Sequence, residues 1–282
     1  MTIAFEPMRS LIYVHCAKEK YRHKLQHWLY FHHIPESMAQ FEPYVSKYAY
    51  YWVLPVPEDG ARFGTRNHNI TEHYWLVNPM NPQLKVKALC EYMPPAAFVW
   101  QGHLPDTPEA LQGEMLQGDD ARSTGREGIA GTIPFVWVFV PMWWEEEFKG
   151  KMRTLQDGCN YRWQFVIKYP EGVSKEEGDK WLFTEVIPAF QNMPQVNRIL
   201  TSSIMQHVNQ TPYQRLLEIW FDGPDEWHEA VTVETAKIKK PVWASEPCFP
   251  YLKPQTEIVS MFVSDMPGDE HYAQYRGYIP MR

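Results

Sequence analysis

At 282 residues, with 44% hydrophobic and 22% charged side chains, the chain can bury a sizeable core as one large domain or two ordinary ones. A disordered chain is excluded by that balance. A formal charge of −7, with no basic run interleaved with aromatic residues, argues against a nucleic-acid partner.

No apolar stretch of about 18 residues offers a membrane span. Met1 to Pro7 lacks the basic start and apolar run of a signal peptide. Cys16, Cys90, Cys159 and Cys248 form no C-x-x-C pair, which fits reduced thiols. A soluble cytoplasmic protein is expected, with no membrane partner. Trp, Tyr and Phe make up 15% of the chain. They suit a pocket for a flat, partly polar ligand, and they suit ordinary cores as well.

In chain order, Leu11–His15 alternates as a strand. Tyr21, Leu25, Trp28 and Leu29 follow at i, i+4, i+7 and i+8, a helical stripe facing a sheet. That helix is predicted to stop before Pro35, because the residue preceding proline is pushed out of the helical region. Strands are predicted at Tyr48–Leu54, Glu72–Val77 and Phe135–Val140, with a second helix within Pro82–Glu91. Residues 102–132 are rich in glycine and charge, with a short helix over Pro108–Leu116, and read as a pocket lid or a solvated insertion.

The second half opens on a strand at Trp163–Lys168. Ser174-Lys175-Glu176-Glu177 then forms an S-x-x-E capping box before a helix predicted to stop ahead of Pro188. Strands follow at Ile199–His207 and Tyr213–Phe221. Gly223-Pro224 opens a helix to about Ile238, and Ile258–Val263 is the closing strand. The tail from His271 to Arg282, with Tyr272, Tyr275, Arg276 and Tyr278, reads as an arm that packs on this chain or on a partner.

A shift of 153 residues lays Trp28-Leu29 over Trp181-Leu182 and Ile34-Pro35 over Ile187-Pro188. Pro43-Tyr44-Val45 with Lys47 then matches Pro194-Gln195-Val196 with Arg198 after a two-residue length change. The order β-α-β-β-α-β in each half predicts an α+β fold of two tandem ferredoxin-like units, 1–145 and 146–282.

Histidine placement carries the chemistry. His15 ends the first strand, on the alternation of Leu11 and Tyr13, and His33 ends the following helix. Both sit where a strand end and a helix end can share one rim, and histidine suits acid–base work near neutral pH. His23 and His27, at i and i+4, lie away from the apolar stripe and read as surface residues. No H-E-x-x-H or Cys/His cluster points to a metal. Arg66-Asn67-His68-Asn69 forms a polar loop before the third strand. Tyr50 and Trp52 alternate along one strand; His73 and Trp75 share one face of the next, and Tyr74 takes the other. Arg215 and Glu218 interrupt an apolar strand, and a charge there is either paired or solvated. No G-x-S-x-G, Walker loop or G-x-G-x-x-G follows a strand.

The stretch Trp28-Leu29-Tyr30-Phe31-His32-His33-Ile34-Pro35, followed by Pro43-Tyr44-Val45-Ser46-Lys47-Tyr48, resembles the H-x-P … P-x-V-x-x-Y signature of EthD-like proteins of the dimeric α+β barrel superfamily. His33 falls on that family's helix-end histidine, and Val186 stands at the corresponding place in the second half. The resemblance implies paired open sheets forming a barrel, a homodimer or an internal pairing of the two halves, and a space that takes haem or an aromatic substrate. A weaker overall likeness, with no motif behind it, is to formaldehyde-releasing lyases of bacterial lignin-derived aromatic catabolism.

The expected function is thus a cofactor-independent carbon–carbon lyase on a phenolic aromatic compound. His33, His15 and Tyr50 are its catalytic candidates; Tyr13, Trp52, Asn67, His68, His73, Trp75 and Arg215 are its substrate contacts. The alternatives are a haem-binding oxidative member of the superfamily and a non-catalytic aromatic-ligand binding protein.

Overall fold

A computed structural model describes residues 8–16, 23, 26, 29–35, 38, 45–65, 69–75, 135–150, 161–206, 212–264 and 269–270. Four strands make up the first half: β1 (Met8–Cys16), β2 (Val45–Tyr51), β3 (Asn69–Trp75) and β4 (Phe135–Lys149). Four more make up the second: β5 (Tyr161–Ile167), β6 (Arg198–Ile204), β7 (Arg215–Phe221) and β8 (Ile258–Ser264).

The sheet order is β8-β5-β7-β6-β4-β1-β3-β2, with the short β9 (Asp269–Glu270) beside β2. Each half therefore places its strands fourth, first, third, second, as a βαββαβ unit does. The register repeats as well. Leu11 lies opposite Glu72 and Val140, and Gln164 lies opposite Glu218 and Met261. Leu11 and Gln164 are separated by the offset read in the sequence, so the expected tandem α+β architecture is the observed one.

Two seams close the sheet on itself. At one, β4 pairs with β6, from Met142–Ile204 to Lys149–Ile199. At the other, Val53 bridges Val263, and the Leu54 N–H donates to the Phe262 carbonyl at 2.7 Å. Asp269 and Glu270 extend this second seam along Tyr50 and Ala49. The first seam explains a difference from the sequence: β4 does not end near Val140 but continues to Lys149, because its second part is the first half's contribution to the joint.

Alternation gives the closed sheet two layers. Leu11, Tyr13, Ala49, Tyr51, Val140, Val166, Leu216 and Met261 pack inside the barrel. Outside, in the second half, Trp163, Phe165, Ile199, Leu217, Ile219 and Phe262 pack under three helices. These are α1 (Lys175–Trp181), α2 (Ile187–Asn192) and α3 (Pro224–Thr232). The Ser174 hydroxyl caps α1, accepting the Glu177 N–H at 3.1 Å as the capping box predicts.

The prolines behave otherwise than expected. Neither helix stops before its Ile-Pro pair; Ile34 and Pro35 are helical, and α2 begins with Ile187 and Pro188. A π turn precedes each pair, Leu29–His33 and Leu182–Val186. Widening the turn moves the backbone off the i→i−4 ladder that a proline ring would clash with. Pro188 then sits in the first turn of α2, where a missing N–H costs nothing. α3 also ends at Thr232, earlier than about Ile238, and a 3₁₀ turn (Glu234–Lys237) completes that stretch. The Pro82–Glu91 helix, residues 102–132 and the 271–282 arm lie outside the described residues.

Candidate functional site

The centre of the barrel is charged. Arg9 and Arg162 are inward-facing residues of β1 and β5 at equivalent positions of the two halves, and Glu72 and Glu218 face them from β3 and β7. All four are almost wholly buried. Arg9 donates through Nε to Glu72 at 2.8 Å and through Nη2 to Glu218 at 3.0 Å. Arg162 donates through Nε to Glu218 at 2.9 Å and through Nη2 to Glu72 at 3.3 Å. Each guanidinium thus binds its own half's carboxylate and the other half's.

Gln164 adds a hydrogen bond to Glu218, and Tyr51 and Lys47 add theirs to Glu72. Burial pushes both carboxyls up, but the cations outweigh it. Lys47, Arg9 and Arg162 hold Glu72 well below the usual carboxylate range. Arg162 and Arg9 hold Glu218 at about 2. Burial and the nearby Glu72 raise the Tyr51 phenol. Arg9, Arg162, Glu72 and Glu218 are ionised and pair with one another, a joint between the halves.

The outer layer of the second half is a solid aromatic core. Trp163 lies 4.5 Å from Phe165, 5.7 Å from Trp227 and 5.0 Å from Phe63 between ring centroids, and stacks on Phe262 at 5.8 Å. Arg215 belongs to this side of the sheet. It is buried, and its fork donates to Asp179 of α1 at 2.9 and 2.7 Å, where Tyr169 also donates at 2.8 Å. That pairing accounts for its charge without a ligand. Among the described residues this layer holds no histidine and its rings pack on one another, so it offers a haem no imidazole ligand.

In the first half the corresponding layer is built from other residues. The shared register makes Ser10 the counterpart of Trp163, Tyr48 of Ile199, Thr71 of Leu217 and His73 of Ile219. Four apolar positions are thereby replaced by hydroxyl-bearing side chains and an imidazole, all buried. The Trp75 indole N–H donates to the Ser10 hydroxyl at 2.9 Å, and that hydroxyl lies 3.3 Å from Nδ1 of His73. The Tyr48 ring stands edge-on to the His73 ring at 4.2 Å.

Beside them Tyr30, from the π turn, packs on Tyr50 at 4.8 Å and stacks on Trp52 at 5.9 Å. Tyr50 is fully buried and Trp52 is 43% exposed, so the aromatic group runs from the layer to the surface. A polar, aromatic layer with one imidazole can hold a flat ligand and exchange hydrogen bonds with its oxygens.

Tyr50, Trp52, His73 and Trp75 therefore share one side of the sheet. Tyr13 does not join them; it faces the barrel interior. Arg215 lies in the other half. His15 is the penultimate residue of β1, opposite Val136, and His33 ends the π turn at the position held in the second half by Val186, which is buried in the aromatic core. Asn67 and His68 lie outside the described residues, and His23 is exposed. Ser10 and Tyr48 carry no sequence motif, and only the comparison of one half with the other singles them out. Arg9 was legible in the same way, since Arg162 repeats it at the 153-residue offset.

The family model described as the chalcone isomerase N-terminal domain matches residues 5–106, well under half of the chain and wholly within its first half. No curated protein matches the sequence. Solved structures with a similar chain course include an anthrone oxidase-like protein (9% identity, covering 94% of this chain and 93% of that one, TM-score 0.48). Another is a mutant chlorite dismutase from Candidatus Nitrospira defluvii (7% identity, covering 94% and 92%, TM-score 0.48). Likeness at this level assigns no activity. Neither these structures nor the family model is described as EthD-like. No described helix is long and apolar enough to cross a membrane.

Proposed function

We propose that the protein is a cofactor-independent acid–base catalyst acting on a phenolic aromatic ketone, its reaction the isomerisation of a chalcone-type enone in the outer layer of the first half. The observation that carries this reading is the replacement of Trp163, Ile199, Leu217 and Ile219 by Ser10, Tyr48, Thr71 and His73 at equivalent positions. A duplicated fold needs no buried imidazole and hydroxyls to hold one of its two halves. The match to a chalcone isomerase N-terminal domain covers that same half.

The chemistry is balanced within the substrate. A base removes the phenolic proton, the phenoxide oxygen bonds to the β-carbon, and the enone electron pair moves to the carbonyl oxygen. A proton then returns to the α-carbon. No atom is lost and no oxidant is needed. His33 is the proposed base, with His15 as the second candidate and Tyr50 as proton donor; Asn67 and His68, which precede β3 in the sequence, are proposed contacts. Tyr30, Tyr50 and Trp52 hold the rings, which supplies proximity. No step runs through haem.

Incubation with 2′-hydroxychalcone tests the proposal. The enone absorbance falls, the product has the mass of the substrate, and His33→Ala lowers kcat on the order of a hundredfold or more. Trp52→Ala raises KM by roughly tenfold through lost ring contact. An enone absorbance unchanged by the wild-type protein overturns the reading. Formaldehyde released from a lignin-type dimer would instead mark the carbon–carbon cleavage expected from sequence, and a Soret band in purified protein would mark a haem protein.

A further inference from the structure

From the Ser10–His73–Trp75 cluster we infer that Ser10 is a positioning residue which locks His73 as a neutral imidazole with its proton on Nε2, a fixed hydrogen-bond donor for a ligand's carbonyl or enolate oxygen. The inference deepens the function proposed above and names the group in the substrate that the layer recognises. Ser10 is fully buried, and among the described residues its Oγ has two side-chain neighbours within hydrogen-bond distance, the Trp75 indole nitrogen at 2.9 Å and Nδ1 of His73 at 3.3 Å.

An indole N–H can only donate. Trp75 therefore takes an acceptor site of the hydroxyl, and the hydroxyl proton has one place to go, Nδ1. If Nδ1 carried its own proton, Ser10 would accept twice and its buried O–H would be left with nothing to donate to, which native interiors avoid. Nδ1 must accept, and in a neutral ring the proton then resides on Nε2. The imidazolium is disfavoured by the same count, since it needs both nitrogens to donate.

A second observation says that the arrangement serves something other than the fold. The counterparts of Ser10, His73 and Trp75 in the second half are Trp163, Ile219 and Phe221, which pack as plain core. There the scaffold holds without the cluster. The ring is also braced in angle, by the edge of Tyr48 at 4.2 Å and by Trp75 at 5.8 Å. A neutral imidazole held in one tautomer and one orientation is suited to donate to an oxygen on which charge develops, without itself losing a proton. In the proposed ring closure that oxygen is the enone carbonyl, which becomes the enolate. Such a donor favours a group whose oxygen gains negative charge during the reaction.

Two-bond nitrogen–proton correlation NMR on the full chain with ring-labelled histidine reads the tautomer directly. In the wild type His73 shows a protonated Nε2 and a bare Nδ1. Ser10→Ala lets the other tautomer appear, while Ser10→Thr, which keeps the hydroxyl, preserves the wild-type pattern. Addition of 4-hydroxyacetophenone, a phenolic ketone that cannot cyclise, shifts the His73 Nε2 resonance in the wild type. In turnover of 2′-hydroxychalcone, Ser10→Ala lowers kcat on the order of tenfold with KM little changed, and Ser10→Thr restores it.

A wild-type His73 protonated on Nδ1, or a pattern unchanged by Ser10→Ala, overturns the lock. A ketone that leaves Nε2 unmoved overturns its role toward the ligand. The two readings separate cleanly. Absent turnover with the stated NMR pattern removes the isomerase and leaves the lock standing; turnover with the wrong tautomer does the reverse.

Discussion

Glu218 and Glu72 are buried acids held ionised by the cations that bridge them, so their contribution to stability depends on pH with a definite sign. In the unfolded chain a glutamate titrates at ~4.3; in the folded barrel Glu218 titrates at about 2. The folded state therefore binds its proton less readily, and the stabilisation is complete above the unfolded value and lost as pH falls toward the folded one. Urea unfolding followed from pH 6 to pH 2 should show stability declining between roughly pH 4.5 and 2, by on the order of 3 kcal/mol for Glu218. Glu72 is shifted in the same direction and adds to the decline as pH falls.

Replacing one partner is more severe than protonating it. Glu218→Gln leaves Arg162 and Arg9 short of a buried counter-charge and should cost about 3–5 kcal/mol, read as a lowered urea midpoint. Part of this was legible in the sequence. Glu218 interrupts an apolar strand and so must be paired or solvated, and Arg9 recurs as Arg162 at the repeat offset. What the sequence could not supply was the face. Alternation says that His73 and Trp75 share a side, yet it takes the closed sheet to place them outside the barrel and Tyr13 inside.

At the level of single elements, α1 offers two local tests. Its Ser174 cap satisfies one orphan N–H, so Ser174→Ala should cost about 1 kcal/mol, measured by thermal unfolding. Gly178 matters for space. A Cβ there would lie 2.3 Å from the Tyr169 ring. Gly178→Ala should push that ring aside, break the Tyr169–Asp179 hydrogen bond and loosen the Arg215 pairing. The expected cost is about 1–3 kcal/mol, with a change in near-UV circular dichroism as the ring moves.

The capping box was readable because its chemistry is local. The π turns were not. Leu29–His33 and Leu182–Val186 have no residue signature of their own, and the Ile-Pro pairs after them suggest a stop by the usual backbone sterics. Their presence at matching places in both halves shows the feature to be part of the duplicated unit. In the first half it delivers Tyr30 to Tyr50 and Trp52.

For the molecule as a whole, the duplication was the most legible feature, carried by a rare Trp and an Ile-Pro pair in constant register. The seams were not legible, because pairing between β4 and β6 depends on which edges meet, and edges carry no residue code. Since both seams are made within one chain, a dimer of the kind the superfamily resemblance implies would use other surfaces. Light scattering on dilution should then show any oligomer dissociating while far-UV circular dichroism stays constant. A loss of strand signal on dissociation would mean that a neighbour helps close the sheet.

The second seam joins Val53 to Val263, two positions far apart along the polypeptide. A ribosome therefore releases β1, β2 and β3 long before their outer edge has anything to pair with. During that interval Arg9 has Glu72 but lacks Glu218, and Glu72 lacks Arg162. The early product carries a bare strand border and an incompletely compensated charge cluster, so commitment to the native state is deferred until translation has passed β8. Such late, long-range closure predicts slow refolding and a dependence on chaperones that shield exposed strand borders during synthesis.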